Sequence, residues 1–117
     1  ADAKKGVEMF RKVNIPVLGM IENMSMHICS QCGHAEHIFG EDGAERLAET
    51  YNTTVLGSLP LSKYIREQSD AGTPVVAADD CSEVSMMYRH ASRRLAVALA
   101  RQAAAAQAMP SIEIADE

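Results

Sequence analysis

The sequence contains a nearly continuous apolar run, Pro16-Val-Leu-Gly-Met-Ile-Glu22. A run without polar alternation is typical of a strand that is buried on both faces, as in a parallel sheet. A second run, Thr53-Thr-Val-Leu-Gly-Ser-Leu59, is closed by Pro60, which cannot donate a hydrogen bond to a sheet. We therefore predict two buried strands, at residues 16–22 and 53–59.

Helical periodicity surrounds both strands. The predicted helices span Lys4–Val13, Asp42–Tyr51, Ser62–Gln68 and Ser82–Gln107. Between the first strand and the second helix, the residues from about 23 to 41 have no clear period and are predicted to form a long functional loop. The order helix, strand, loop, helix, strand, helix, helix predicts an α/β fold with a parallel sheet.

The length of 117 residues fits one small domain. Two buried strands nevertheless make a poor sheet, because a parallel pair with two apolar faces needs neighbours. We therefore expect the chain to be the C-terminal part of a larger domain, of roughly twice this length or more. We also expect the first helix and the first strand to expose apolar side chains.

Composition argues against several classes of protein. The net charge of −5 disfavours nucleic acid as the main ligand, because phosphate contacts need clustered Lys and Arg. No apolar stretch approaches the roughly 18 residues of a membrane span, and no secretory signal is visible. Three cysteines do not suit a disulfide framework. We expect a cytoplasmic protein with reduced thiols that binds neither nucleic acid nor membrane.

The loop contains the motif Cys29-Ser-Gln-Cys32. A Cys-x-x-Cys spacing lets two thiolates face one metal ion, and Gly33 permits the left-handed turn that such a knuckle uses. One pair supplies only two of the four ligands that a tetrahedral Zn²⁺ or a 4Fe–4S cluster needs. The motif therefore predicts half of a metal or cluster site.

Spacing alone leaves the completion of this site open. His34 and His37 would give a Cys2His2 zinc site within the loop. A second copy of the chain would instead give four cysteines at a two-fold axis. A dithiol redox pair and two unliganded surface thiols are the other interpretations.

Candidate ligand contacts follow both strands, at the edge where open α/β sheets bind their ligands. Asn23 comes directly after the first strand, and its amide suits a purine edge because it is donor and acceptor together. Pro60 and Leu61 occupy the equivalent position after the second strand. The sequence contains neither of the common glycine-rich phosphate loops, so we expect no nucleotide hydrolysis by these residues unaided.

Several segments together resemble the Mrp/ApbC family of iron–sulfur cluster carrier P-loop ATPases. They are Gly6–Ser25, Cys29–His34, His37–Gly40, Leu56–Leu61, Ile65–Glu67 and Asp70–Pro74. The resemblance runs from about residue 1 to residue 102. It implies a MinD-like P-loop NTPase fold, of which residues 1–108 are the C-terminal part without the Walker A half. Residues 109–117 lie outside the resemblance and form an acidic tail that we expect to be disordered.

The resemblance also implies a function. In this family, the Cys-x-x-Cys motifs of two subunits in a homodimer bind a labile 4Fe–4S cluster, which is passed to apo-proteins. By that match Cys29 and Cys32 are the cluster ligands, Asn23 contacts the adenine of ATP, and Pro60 and Leu61 flank the base. Binding of ATP with Mg²⁺, and its hydrolysis, would belong to the complete protein.

Two alternatives remain beside cluster transfer. One is a zinc-binding structural or interaction module that uses Cys29, Cys32, His34 and His37. The other is part of a MinD-like ATPase whose cysteines are incidental. An isolated fragment that has lost its cluster in air would also bind Zn²⁺, since thiolates favour this ion.

Overall fold

The computed structural model describes residues 2–107, so the predicted tail at 109–117 lies outside the described residues. Five helices and four strands form within residues 2–107. In chain order they are α1 (Asp2–Lys12), β1 (Met20–Glu22), β2 (His27–Ile28), β3 (Ala35–Glu36), α2 (Gly43–Thr50), β4 (Val55–Ser58), α3 (Lys63–Asp70), α4 (Val75–Ala78) and α5 (Glu83–Gln107). The predicted α/β class is confirmed.

The strands β1 and β4 pair in parallel, as the two apolar runs predict. Both are shorter than predicted. The Met20 N–H donates to the Thr54 carbonyl at 2.8 Å, just before β4 begins, so residues 16–19 lie ahead of the paired stretch. The register of the pairing shifts between Met20 and Ile21. After this shift, Glu22 at the end of β1 pairs with Ser58 at the end of β4. The carboxyl ends of both strands therefore meet at one edge.

The segment at 23–41 is not the irregular loop that its composition predicts. Its strands β2 and β3 form an antiparallel hairpin in which His27 pairs with Glu36 and Ile28 with Ala35. Two residues in each strand are too few for an alternating pattern to show in the sequence. The hairpin stands on the carboxyl edge of the parallel pair, because His27 also bridges to Leu61.

Helix α5 packs directly on β4. A side chain added at Gly57 would lie 2.6 Å from the Cβ of Ala91, which means that the helix approaches the strand more closely than any larger residue would allow. The short helix α4, which the sequence analysis missed, joins α5 through Ser85: the buried Ser85 hydroxyl donates to the Val75 carbonyl at 3.0 Å. The buried apolar residues are Val7, Ala48, Tyr51, Leu56, Leu59, Val75, Val84 and Ala91.

Helix α1, the segment between α1 and β1, and β1 itself leave apolar side chains exposed, as expected of the first helix and the first apolar run. They include Met9, Phe10, Val13, Ile15 and Ile21. The other face of α1 is tied to the end of α2, where the Tyr51 hydroxyl donates to Glu8 at 2.7 Å and the Arg11 guanidinium donates to the Tyr51 carbonyl. Among the helices of residues 2–107, none has the length and hydrophobicity that crossing a membrane requires.

Candidate functional site

The carboxyl edge of the parallel pair brings two of the predicted segments together. The Leu59 N–H donates to the Glu22 carbonyl at 2.7 Å, and the Ser25 N–H donates to the Leu59 carbonyl at 2.9 Å. Asn23 lies between these two bonds on the first segment, and Pro60 follows them on the second. The structure therefore places Asn23 and the Pro60–Leu61 pair at the same edge, as the sequence predicts.

Asn23 is exposed at this edge. Its amide oxygen accepts a hydrogen bond from the Met24 N–H at 2.9 Å, and Met24 has a positive φ of 55°. The chain thus turns sharply after β1, and the Asn23 side chain lies against the turn. Its amide NH2 is the group with which it can still donate to a ligand.

Leu61 has a structural role that the sequence does not show. Its N–H donates to the Met26 carbonyl at 2.7 Å, and its carbonyl accepts from the Ile28 N–H at 3.1 Å. Both of its main-chain polar groups are thereby used to hold the base of the hairpin. Any contact of Leu61 with a nucleotide base would come from its side chain.

Both cysteines of the motif lie at the tip of the hairpin. The Cys29 N–H donates to the His34 carbonyl at 2.9 Å, and the Gly33 N–H donates to the Cys29 carbonyl at 2.9 Å. These bonds close a tight turn, and Gly33 adopts the positive φ of 73° that the sequence analysis expected of it. The turn displays two reduced thiols, those of Cys29 and Cys32.

The two thiols have different surroundings. Cys29 is half-buried, whereas Cys32 is exposed. The pKa of the Cys29 thiol lies below its ordinary value, because the main-chain N–H groups of Gln31 and Cys32 and the Cys32 side chain donate hydrogen bonds to its sulfur. Hydrogen bonds to the charged form stabilise it, so Cys29 ionises more readily than an ordinary cysteine. A thiolate is the form of cysteine that binds metal.

His37 takes part in the site as a structural contact. Its Nδ1 lies 2.9 Å from the Ser25 carbonyl and ties the end of β3, at the base of the hairpin, to the segment after β1. Between residues 2 and 107, no group of three or more His, Cys, Asp or Glu side chains is arranged to hold a metal ion. The structure therefore does not bring Cys29, Cys32, His34 and His37 together as one zinc site. The cysteine pair supplies two potential ligands, fewer than a tetrahedral metal site needs.

Ser25 is the residue at this site that sequence reasoning missed. It is 4% exposed, and its hydroxyl donates to the Leu59 carbonyl at 3.1 Å while its own carbonyl faces His37. It thus joins the edge of the sheet to the base of the hairpin. A single serine in an aperiodic segment has no sequence signal, because its partners lie far away along the chain.

A cavity of about 220 Å³ lies between the hairpin and α2. Four carboxylates line it, those of Glu22, Glu41, Asp42 and Glu45. Acidic walls repel an anion. We therefore do not assign the phosphates of a nucleotide to this cavity.

Comparison with known proteins gives a consistent family. The model of the NUBPL iron-transfer P-loop NTPases, within the ParA group, matches residues 1–96. The iron-sulfur cluster carrier protein of Pseudomonas fragi is 62% identical over 88 residues, which cover 75% of this chain and 31% of that protein. The protein of the same name from Escherichia coli K12 is 55% identical over 98 residues, which cover 84% of this chain and 27% of that protein.

A eukaryotic relative matches nearly as well. The iron-sulfur cluster transfer protein NUBPL of Mus musculus is 54% identical over 89 residues, which cover 76% of this chain and 28% of that protein. The chain therefore spans less than a third of the length of these curated relatives.

Proposed function

The chain belongs to the family of NUBPL iron-transfer P-loop NTPases, and on that premise we propose that it binds an iron–sulfur cluster through Cys29 and Cys32 and passes it to apo-proteins. The cluster is cargo in this function, not a resident cofactor. The observation that carries the proposal is the display of two thiols at the tip of the β2–β3 hairpin, where the hydrogen-bonding groups of the turn lower the pKa of Cys29. Family membership also confirms the resemblance on which the sequence analysis relied.

The cluster in this proposal is of the 4Fe–4S type and is shared by a homodimer. Such a cluster needs four cysteine ligands, and the hairpin offers two. If two hairpin tips meet at a two-fold axis, the second chain supplies the other two cysteines, and no other kind of ligand is needed. The exposure of the tip, in which every residue from Ser30 to His34 is exposed, supports this arrangement because nothing has to move for a second chain to approach.

Nucleotide binding is the second part of the proposal. In the complete protein, we assign ATP with Mg²⁺ to the carboxyl edge of the parallel pair, where Asn23 contacts the adenine and Pro60 and Leu61 flank it. The exposed amide of Asn23 fits this role. The hairpin base shares the Leu61 main chain, so a base bound here would lie next to the segment that leads to Cys29.

The setting that we propose for this function is the cytoplasm, with apo iron–sulfur proteins as partners. The thiols of Cys29, Cys32 and Cys81 are free, as expected where reduced thiols persist. The relatives carry names of cluster carriers and transfer proteins. A recipient that accepts the cluster must itself present thiolates, because these are the ligands that replace Cys29 and Cys32.

Anaerobic reconstitution tests this function in the complete protein. After incubation with iron and sulfide, we expect Cys29→Ala and Cys32→Ala to retain at least about tenfold less iron and sulfide than the wild type. Each substitution removes a thiolate that binds the cluster directly. Cys81→Ala is the matched control, because Cys81 is also exposed but lies at the start of α5. Iron analysis and the visible absorption of the cluster measure the result.

Two outcomes would contradict the proposal. One is full loading of either hairpin variant. The other is a colourless wild-type monomer that holds one tightly bound Zn²⁺ per chain, which would support the zinc module instead. Circular dichroism of each variant shows whether a loss of iron comes with a loss of fold.

A further inference from the structure

The main chain of Cys29 is anchored to the rest of the molecule. Its N–H and its carbonyl are both hydrogen-bonded within the turn, at 2.9 Å each. The preceding residue, Ile28, belongs to β2 and donates to the Leu61 carbonyl, which follows β4. Main-chain hydrogen bonds therefore connect the parallel pair, through Leu61 and Ile28, to Cys29.

The side chain of Cys29 is also less accessible than that of Cys32, because Cys29 is half-buried. A ligand whose surroundings fix its orientation favours retention of the metal. Cys32 sits one residue before Gly33, at the exposed tip, where solvent and an incoming protein have access to its side chain.

From this asymmetry we propose that the two cysteines have different roles in cluster transfer: Cys32 is the ligand that is displaced first, and Cys29 is the anchor that is released last. The inference rests on the proposed function and deepens it. An incoming thiol reaches iron most easily beside the exposed Cys32, whereas Cys29 is half-buried and its main chain is fixed by two hydrogen bonds. Release thus proceeds from the tip of the hairpin towards its base.

The step is a ligand exchange without oxidation or reduction. The thiol of the recipient loses its proton, and its sulfur forms a new bond to iron. The bond between iron and the Cys32 sulfur breaks, and Cys32 leaves as a thiolate that takes up a proton from solvent. The same exchange at Cys29 then completes the transfer from that subunit.

Alkylation during transfer tests the order in the wild-type complete protein. The loaded protein is mixed anaerobically with glutathione as the incoming thiol, and samples are quenched at intervals with a large excess of iodoacetamide. Trypsin releases Val13–Arg46 as one peptide that contains both cysteines, and tandem mass spectrometry locates the label. We expect singly labelled peptides to carry the label on Cys32 at least about tenfold more often than on Cys29, the scale of an outer-shell effect on metal retention.

Controls separate this inference from the proposed function. In the cluster-free protein the same quench must label both cysteines to completion, and Cys81 must be labelled at every time point because it is exposed. Equal labelling, preferential labelling of Cys29, or a direct passage from unlabelled to doubly labelled peptide would overturn the order of release. A wild-type protein that takes up no cluster would be labelled on both cysteines at the start, which would contradict the proposed function itself.

Discussion

Cys29 shows how a turn changes the chemistry of one side chain. The groups that lower the pKa of its thiol are chiefly main-chain N–H dipoles of the turn, contributed by Gln31 and Cys32. A hydrogen bond acts at contact distance, whereas the attraction of a distant Lys or Arg is screened by salt. The shift should therefore persist in salt and disappear when the turn unfolds.

The pH dependence of alkylation tests this statement. In a Cys32→Ser, Cys81→Ala background, only Cys29 reacts, and the serine hydroxyl keeps a donor at position 32. The reactive thiolate forms as the pH rises through the pKa, so a lowered pKa moves the midpoint of the rate profile to lower pH. We expect a midpoint below that of a cysteine in an unstructured peptide. The same chain in denaturant is the control, and an unchanged midpoint after unfolding would contradict the assignment.

At the scale of elements, two contacts position the site. The β2–β3 hairpin is held at its base by Leu61, which bonds to the β2 side, and by His37, which follows β3 and contacts the Ser25 carbonyl. The parallel pair that carries this hairpin is in turn covered by α5, which meets β4 at Gly57 and Ala91. The packing of α5 therefore supports the edge on which the candidate site stands.

Substitution of Gly57 tests that packing. A Gly57→Ala side chain would lie 2.6 Å from the Ala91 Cβ and 3.2 Å from its Cα, so α5 has to move away from β4. We expect a loss of about 1–3 kcal/mol in the free energy of unfolding, as for other overpacked cores. Urea denaturation measures this loss.

Matched variants make the Gly57 result specific. Gly6→Ala has open space around it in α1, and we expect it to raise the free energy of unfolding by about 0.5–1 kcal/mol through helix propensity. Ala91→Gly combined with Gly57→Ala removes the closest clash and should recover part of the loss. A Gly57→Ala protein as stable as the wild type would show that α5 is not tightly packed on β4.

At the scale of the whole molecule, the chain has a small parallel sheet and exposed apolar side chains near its first helix. The parallel sheet has two strands in residues 2–107, and α1 and the segment between α1 and β1 expose large apolar side chains such as Phe10 and Ile15. The cysteine pair likewise supplies two of the four ligands that a 4Fe–4S cluster takes. Under the proposed function, a second chain at the hairpin tip contributes the other two.

The stoichiometry of loading tests this dependence. Native mass spectrometry of the reconstituted complete protein should show one 4Fe–4S cluster for every two chains, because each hairpin contributes two thiolates. Removal of iron with a chelator should abolish the cluster-bearing species and leave the protein mass. A cluster bound to a single chain would contradict the shared site. Cys81→Ala, which leaves the hairpin intact, should show the same stoichiometry as the wild type.

Much of the architecture is predictable from the sequence, since it rests on local patterns. The apolar runs predict the two parallel strands, and the helical periods predict four of the five helices of residues 2–107. The β2–β3 hairpin and α4 escape prediction because two-residue strands and a four-residue helix are too short to show a period. The role of Ser25 escapes it because its partners, Leu59 and His37, are distant in the chain.

The candidate site divides in the same way. The spacing of Cys29 and Cys32 is a property of the sequence, and it predicts half of a metal or cluster site. The family is indicated by several segments together, of which the cysteine motif is one. The unequal surroundings of the two sulfurs depend on tertiary structure, as do the use of the Leu61 main chain and the exclusion of His37 from a zinc site. Burial and hydrogen-bond direction depend on which distant segments meet. Spacing along the chain shows which thiols can share a metal, but only the folded contacts show that Cys29 is half-buried and Cys32 exposed.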